Sequence, residues 1–216
     1  MDRTIANLHE LDRTVLESLF LDRGAQFVRR LGWDLCVTPN GAEIDEYDSE
    51  GTTYLVVHKD GRHIGSCRMR PVSAGTMIVD HFREVFPGAV MFLCGQEHRV
   101  YELTRFCRSP KASKEEAREM LEIMAEMIDS FRDENGLTGF VAVVYPEIAR
   151  FLSSIGVRFL RLACSQADGR EIHMICIVHC VRVDRLVARS RLSEKSQLGR
   201  ILAMNQEEDL GTSCAA

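Results

Sequence analysis

The stretch YELTRFCRSP, residues 101–110, places Glu102 and Arg105 three positions apart in an otherwise apolar neighbourhood. In a regular strand, residues three apart point to opposite faces of the sheet, so the two charges would serve two different sites. A β-bulge would let both side chains enter one cleft, where a carboxylate can take up a proton and a guanidinium can orient it. A surface ion pair is the alternative interpretation of the same two residues.

A second charged group lies upstream, in the segments EIDEYD and GSCRMRP. Asp45 and Asp48 occupy a polar, turn-rich stretch, where two acids can hold a cationic amine or sulfonium, or can form a solvated loop. Arg68 and Arg70 are two residues apart in a predicted strand and would share one face of it. That face can pair with acids such as Glu102, can bind a phosphate, or can be exposed to solvent.

An aromatic group precedes both, in the segment RGAQFVRRLGW. Arg23 and Phe27 are four residues apart and would share one face of a helix, and Trp33, the only tryptophan, follows just beyond the helix end. An arginine with two aromatic rings can cradle a cation, an adenine ring or a carboxylate. Alternatively, the two rings anchor the core and the arginine faces water.

The elements that must position these residues are predicted from hydrophobic periodicity and turn signals. The predicted helices cover residues 6–31, 77–86 (ending at Pro87), 113–136 and 146–152, and the predicted strands cover residues 52–58, 63–69, 101–110, 138–144, 157–163 and 171–183. Asp60-Gly61 predicts a tight hairpin turn, and Ser113 with Glu116 predicts a capped helix start. This order predicts one three-layer α/β domain over residues 1–190, with a mixed central sheet flanked by helices. Residues 191–216 are expected to form a polar tail, partly helical or disordered.

The composition is that of an ordinary globular domain: 216 residues, 45% hydrophobic and 27% charged, with a formal net charge of -5. The negative charge argues against nucleic-acid binding, and no signal peptide or membrane-spanning apolar segment is evident. We therefore expect a cytoplasmic protein whose eight scattered cysteines are reduced and mostly buried. Cys176, His179 and Cys180 fall in one predicted strand and would not all share a face, so we expect no metal site.

In chain order the chemically interesting groups read R-x-x-x-F, W, D-x-x-D, R, F-P and E-x-x-R. This order resembles the acyl-homoserine-lactone synthase family, the LuxI-type autoinducer synthases of bacterial quorum sensing. Nine residues fit the family signature: Arg23, Phe27, Trp33, Asp45, Asp48, Arg68, Phe86, Glu102 and Arg105. Arg68 rather than Arg70 matches the signature arginine, because it directly follows GSC.

The resemblance implies an N-acetyltransferase-like fold and a two-step reaction. The amine of S-adenosylmethionine attacks the thioester of an acyl group held on acyl carrier protein. The carboxylate then closes on the γ-carbon and expels methylthioadenosine, which leaves an N-acyl-homoserine lactone. Glu102 would be the general base, directly or through a water, and Arg68 and Arg105 would hold its carboxylate in place.

The resemblance also implies a binding site for S-adenosylmethionine, which is a substrate, so that no cofactor is expected. Arg23, Phe27 and Trp33 would form this site, with the aromatic rings against the sulfonium or the adenine. Asp45 and Asp48 would place negative charge near the cation or would fix the arginines. The sequence leaves open which of the acids touches substrate, and we expect a monomer or a weak dimer.

An acyl chain and its pantetheine arm would need an apolar pocket. The residues expected to line it are Phe86, Phe106, Met124, Ala142, Val144 and Leu152. Several family members that prefer 3-oxo chains carry a threonine in the strand that here reads AVV from Ala142, so we expect an unsubstituted or 3-hydroxy chain. Arg150, Arg158 and Arg161 would form a basic docking patch for the acidic carrier protein, or are ordinary surface arginines.

Three other functions fit parts of the same sequence. An acetyltransferase that uses acetyl coenzyme A would carry a glycine-rich turn before its main helix, whereas this chain reads CRSPKASKEE there. The sequence does not exclude a lactone synthase that takes acyl coenzyme A instead of acyl carrier protein. A catalytically inactive sensor of S-adenosylmethionine or of a lactone would bind without turnover.

Overall fold

The computed structural model describes residues 1–94, 99–167 and 169–180, and these contain a seven-stranded mixed sheet. The strands are β1 (Asp2–Asn7), β2 (Thr53–Lys59), β3 (Arg62–Pro71), β4 (Val100–Arg108), β5 (Gly139–Val144), β6 (Arg158–Ala167) and β7 (Arg170–His179). Their order across the sheet is β1-β2-β3-β4-β5-β7-β6. Only β4 and β5 run parallel, and each of the other described neighbours is antiparallel.

Five α-helices connect these strands in the described residues. They are α1 (Arg13–Arg23), α2 (Met77–His81), α3 (Pro87–Cys94), α4 (Lys114–Glu134) and α5 (Pro146–Ser154). The predicted capping box is present at α4, where Ser113 accepts from the Glu116 amide and Glu116 accepts from the Ser113 amide. The predicted Asp60-Gly61 turn is also present, with φ values of 53° and 73° that suit a tight hairpin.

The helices form layers on both faces of the sheet, because neighbouring residues of one strand enter different cores. Leu55 and Val57 of β2 belong to a core under α4, whereas Tyr54 and Val56 belong to a core under α1. Likewise Val141 of β5 packs with residues of α2 and α3, on the face opposite α4. The three-layer prediction is therefore confirmed for the described residues.

The predicted helix over residues 6–31 is wrong at its start. Residues 2–7 form the edge strand β1, which pairs antiparallel with β2 from Asp2 opposite His58 to Asn7 opposite Thr53. The helix begins at Arg13, because the Asp12 side chain accepts hydrogen bonds from the first free amides. Beyond Arg23 the chain continues as a wider π-helical stretch through Gly24–Arg30.

The predicted end of a helix at Pro87 is also wrong. Helix α2 already ends at His81, and Pro87 begins α3, where its missing amide would have no helical partner in any case.

Two of the expected buried cysteines, Cys36 and Cys164, are exposed. In the part of the chain that the structure describes, none of the helices has the length and apolar character to cross a membrane. The predicted tail, residues 191–216, lies outside the described residues, so the proposed domain division stays a prediction.

Candidate active site

The structure contains the β-bulge that would turn Glu102 and Arg105 towards one cleft. Arg68 of β3 pairs with Thr104 of β4, but Ser66 pairs with Cys107, so β4 holds one residue more than β3 between these pairs. Arg105 occupies the bulge with a φ of 51°, which is rare for a residue with a side chain. The bulge therefore redirects the Arg105 side chain away from the face that a regular strand would give it.

Arg105 joins a buried ring of six alternating charges, which we call the charge ring. Its members are Arg23, Asp48, Arg68, Asp45, Arg105 and Glu43, each of which contacts the next, and Glu43 closes the ring on Arg23. None of the six side chains is more than 13% exposed. Three guanidiniums thus balance three carboxylates in a space that water barely reaches.

Asp48 binds two arginines of the charge ring and one residue outside it. It accepts two hydrogen bonds from Arg23 at 2.8 and 2.9 Å and one from Arg68 at 3.0 Å. The Tyr54 hydroxyl donates to it at 2.6 Å. Burial alone would raise the pKa of Asp48, but these partners outweigh it and hold that pKa well below its usual range.

The other two acids complete the ring through the bulge. Asp45 accepts from Arg105 at 2.8 Å and also pairs with Arg68 through both of its oxygens. Glu43 accepts from Arg23 at 2.5 Å and from Arg105 at 3.1 Å. Of the two roles that the sequence left open for Asp45 and Asp48, the geometry therefore shows the second, in which the acids fix arginines.

Glu43 is not among the predicted site residues, although it lies in the segment EIDEYD. Its backbone amide donates to the Phe20 carbonyl of α1 at 3.0 Å, which joins the loop to the helix. Gly24 permits this contact, because a β-carbon there would run into the Gly41 carbonyl oxygen. The only sequence signal was the spacing, since Glu43 and Asp45 are two residues apart and can face one side of an extended segment.

Glu102 lies beside the charge ring and is 2% exposed. Its two carboxylate oxygens accept hydrogen bonds from the backbone amides of Met77 at 3.2 Å and Ile78 at 2.8 Å. Burial raises the pKa of Glu102 to about 7, against the opposing effects of these amides and of the Arg68 and Arg105 charges. A carboxyl group with this pKa can exchange a proton near neutral pH.

The expected bonds from the two arginines to Glu102 are therefore wrong. The hydrogen bonds that the structure gives to the guanidiniums of Arg68 and Arg105 go to the acids of the charge ring, to Thr104 and to the Met77 sulfur. They affect Glu102 through charge, while the start of α2 holds its carboxylate.

The aromatic residues predicted with Arg23 do come together. The rings of Phe27 and Trp33 stack with centroids 5.0 Å apart and planes 8° from parallel. However, it is Arg105 that lies over the Phe27 ring, at 5.8 Å, whereas Arg23 lies over Phe20. The predicted Arg23–Phe27 cradle is therefore replaced by a stacked pair beside Arg105.

The sheet opens next to Glu102, because β4 and β5 part there. Their parallel pairing runs over three positions, from Val100 opposite Gly139 to Glu102 opposite Val141. Beyond that point β4 continues to Arg108 and β5 to Val144 with no further pairing between them in the described residues. Glu102 thus stands at the inner end of a cleft between two strands, with the bulge on one wall.

The six residues predicted to line one acyl pocket do not lie together. Met124 and Ala142 belong to the core under α4, with Val144 and Leu152 packed against it. Phe86 is buried in the core on the opposite face of the sheet, because the connection between α2 and α3 packs there. The Phe106 side chain, in the bulge, is 41% exposed.

The arginines of the expected docking patch are all at the surface. Arg150 lies on α5, and Arg158 and Arg161 lie on the edge strand β6, and each is exposed. Cys176 and Cys180 are buried, and no three potential metal ligands cluster anywhere in residues 1–94, 99–167 or 169–180.

The order and pairing of the strands, with helices on both faces, define a fold of the N-acetyltransferase type. A solved structure of a CoA-dependent acyl-homoserine lactone synthase, BjaI, with SAM and isopentyl-CoA, has this fold. It matches with a TM-score of 0.67 at 20% identity and covers 94% of this chain and 97% of that chain. The expected N-acetyltransferase-like architecture is therefore confirmed.

Sequence comparison identifies the family. The profile of the autoinducer synthase family matches residues 7–188, so the chain belongs to the autoinducer synthase family. An acyl-homoserine-lactone synthase of Rhizobium etli is 31% identical over 169 residues, which cover 76% of this chain and 77% of the relative. One of Aliivibrio fischeri is 29% identical over 152 residues, which cover 69% of this chain and 74% of the relative.

Proposed function

We propose that this enzyme is an acyl-homoserine-lactone synthase that uses S-adenosylmethionine and an acyl carrier protein thioester. The observation that carries the proposal is the buried Glu102 carboxyl, with a pKa of about 7, at the inner end of the cleft between β4 and β5. Family membership and the names of the two relatives support the same activity. The substrates are metabolites of the cytoplasm, where we expect the enzyme to act.

The first step needs a base, because an ammonium group has no free electron pair for attack. Glu102, directly or through a water, takes the proton from the amine of S-adenosylmethionine. The amine nitrogen then forms a bond to the thioester carbonyl carbon, and the carbon–sulfur bond breaks. The thiolate of the carrier leaves and takes up the second proton that the nitrogen gives up, which completes the amide.

The second step closes the lactone. A carboxylate oxygen of the acylated substrate bonds to its γ-carbon, and the electrons of the γ-carbon–sulfonium bond stay on sulfur. Methylthioadenosine leaves as a neutral molecule. Trp33, which is partly exposed, would offer a π-face to the sulfonium or the adenine before this step, whereas the buried Phe27 ring already contacts Trp33 and Arg105.

The charge ring serves this reaction indirectly in our proposal. The hydrogen bonds of Arg23 and Asp48 go to each other and to other buried groups, so their role is to build the wall of the site, whereas Asp45 holds Arg105 at the bulge. Main-chain amides near Phe106 would hold the thioester oxygen or the pantetheine arm where β4 has left β5.

The identity of the acyl donor is the part of the proposed reaction that the structure constrains least. Exposed Arg150, Arg158 and Arg161 favour an acidic carrier protein as partner. The structural relative BjaI is described as CoA-dependent, which keeps acyl coenzyme A as the alternative donor. Ala142 and Val144 offer no hydroxyl for a 3-oxo group, so the expected acyl chain is unsubstituted or 3-hydroxy, and a product profile dominated by 3-oxo lactones would contradict this.

The test is mass spectrometry on the purified full chain with S-adenosylmethionine and a panel of acyl carrier protein and acyl coenzyme A thioesters. Lactone and methylthioadenosine should form together, and both should disappear in Glu102→Gln. Glu122→Gln, at a 69%-exposed side chain of α4, is the matched control and should retain activity. Acyl consumption without methylthioadenosine would identify a different acyltransferase, and binding without turnover would favour the sensor.

A further inference from the structure

Arg70 is the one arginine of the GSCRMRP segment that the family signature leaves without a role. Its half-buried guanidinium makes no bond to an acid side chain in the described residues and donates instead to neutral oxygens of two separate segments. The acceptors are Ser49 Oγ at 3.3 Å, the Glu50 carbonyl at 3.0 Å, Thr52 Oγ1 at 2.8 Å, the Ala74 carbonyl at 2.9 Å and the Gly75 carbonyl at 2.7 Å.

The segment that contains Ala74 and Gly75 leads directly to the groups that hold Glu102. Gly75 takes a φ of 77°, and the chain then enters α2, whose first two amides, of Met77 and Ile78, bind the two oxygens of Glu102. Helix α2 has five residues, too few to fix its own position without contacts from outside. Arg70 supplies such contacts two residues before the first of these amides.

Arg70 also lies on the correct face of the sheet. It stands directly opposite Glu102 in the antiparallel pairing of β3 with β4, so both side chains leave the sheet on the same side. Its guanidinium binds the turn that leads into the two amides on Glu102. Its remaining nitrogen, Nη1, holds residues 49–52, the end of the loop that carries the acids of the charge ring.

We propose that Arg70 is a positioning residue for the general base: by holding the Ala74 and Gly75 carbonyls, it fixes the Met77 and Ile78 amides on the Glu102 carboxylate. This proposal adds a role for Arg70 to the proposed reaction, and it rests on the proposed function because that function makes Glu102 the base. Arg70 itself touches no reacting atom in the proposed mechanism. It acts through the turn, and the turn acts through two hydrogen bonds.

The groups around Glu102 determine what the loss of Arg70 should do. The charged and titratable groups that face it are Arg68 and Arg70 from β3, Arg105 from β4 and Tyr47 from the preceding loop, whose hydroxyl donates to Asp80 of α2. Strand β5 contributes apolar Val141. The two amides lower the pKa of Glu102, so their displacement leaves burial less opposed and raises that pKa further.

The experiment compares the pH dependence of kcat/KM for the full-length enzyme and two variants. Arg70→Met removes the contacts and the charge, whereas Arg70→Lys keeps the charge but replaces a planar fork of donors with a single ammonium. We expect the acid limb of the pH profile to shift to higher pH by about one unit in both variants, which lowers kcat/KM at pH 7 about fivefold. Arg62→Gln, on the same strand and paired with Glu116, is the control and should leave the limb in place.

A second measurement does not depend on turnover. The carboxyl carbon of Glu102, assigned by comparison with Glu102→Gln, is titrated by NMR in protein labelled with 13C-glutamate. A higher midpoint in Arg70→Lys, together with its shifted acid limb, supports the proposal. An unchanged midpoint in Arg70→Lys overturns the proposal, because it would show that only the charge of Arg70 affects Glu102. If Arg70→Met does not fold, Arg70→Lys alone decides between these outcomes. If the wild type makes no lactone but the midpoint still shifts, the proposed function fails and the positioning of Glu102 by Arg70 stands.

Discussion

The charge ring makes a strong prediction about stability, which the substitution Asp48→Asn tests. The variant keeps the size of the side chain but leaves three buried guanidiniums against two carboxylates. Asp48 is 8% exposed and accepts hydrogen bonds from Arg23, Arg68 and Tyr54, so solvent cannot replace the lost charge. The unbalanced positive charge then remains buried.

The magnitude follows from the nature of the pair. Removing one partner of a buried ion pair costs about 3–5 kcal/mol, mostly because the other charge stays buried without compensation. For a domain of this size, that corresponds to a fall in Tm of roughly 6–20 °C. The double variant Asp48→Asn with Arg23→Gln restores a balance of two against two, so it should lose clearly less than the sum of the single losses.

The assay is urea unfolding of the full chain near neutral pH, followed by fluorescence of Trp33. Glu17→Gln is the control, because Glu17 pairs with Arg13 at a 61%-exposed side chain and should change stability by less than about 0.5 kcal/mol. A loss below about 1 kcal/mol in Asp48→Asn would refute the reasoning, as would strict additivity in the double variant.

Further predictions concern the supports of the ring and the thiols. Gly24→Ala should destabilise by about 1–3 kcal/mol in urea unfolding, because its β-carbon meets the Gly41 carbonyl, whereas Gly88→Ala in α3 meets nothing and should be neutral or slightly stabilising. Tyr54→Phe should lose about 1.5–3 kcal/mol in the same assay, because it removes the 2.6 Å bond to Asp48. In timed alkylation at neutral pH with peptide mapping, exposed thiols should react before buried ones: Cys36 and Cys164 before Cys67, Cys107, Cys176 and Cys180.

The parts of the fold that were predicted correctly are those with local causes. Asp60-Gly61 specifies a hairpin through the φ values that its two residues accept, and Ser113 with Glu116 specifies a helix start through its own hydrogen bonds. Strand β1 was missed because its conformation depends on pairing with β2, about 50 positions away in the chain, which local periodicity does not encode.

The sequence identified most residues of the site, but not the contacts between them. The ordered motifs identified five members of the charge ring, yet they could not show that its acids bind arginines, because that depends on how a loop folds over α1. Glu43 was missed for the same reason. The bulge at Arg105 was foreseen as one alternative, and only the register between β3 and β4 decides in its favour.

The charge ring and the base have to be understood together. Two guanidiniums near a carboxylate would normally pull its pKa below the ordinary range, which would leave a weak base for an ammonium substrate. Here Arg68 and Arg105 are already paired with Asp45, Asp48 and Glu43, so much of their positive charge is neutralised before it reaches Glu102. Burial then dominates, and the pKa of Glu102 stands at about 7. In the proposed reaction, the acids of the ring would thus favour proton transfer without touching the substrate, because they keep the arginines from lowering the pKa of Glu102.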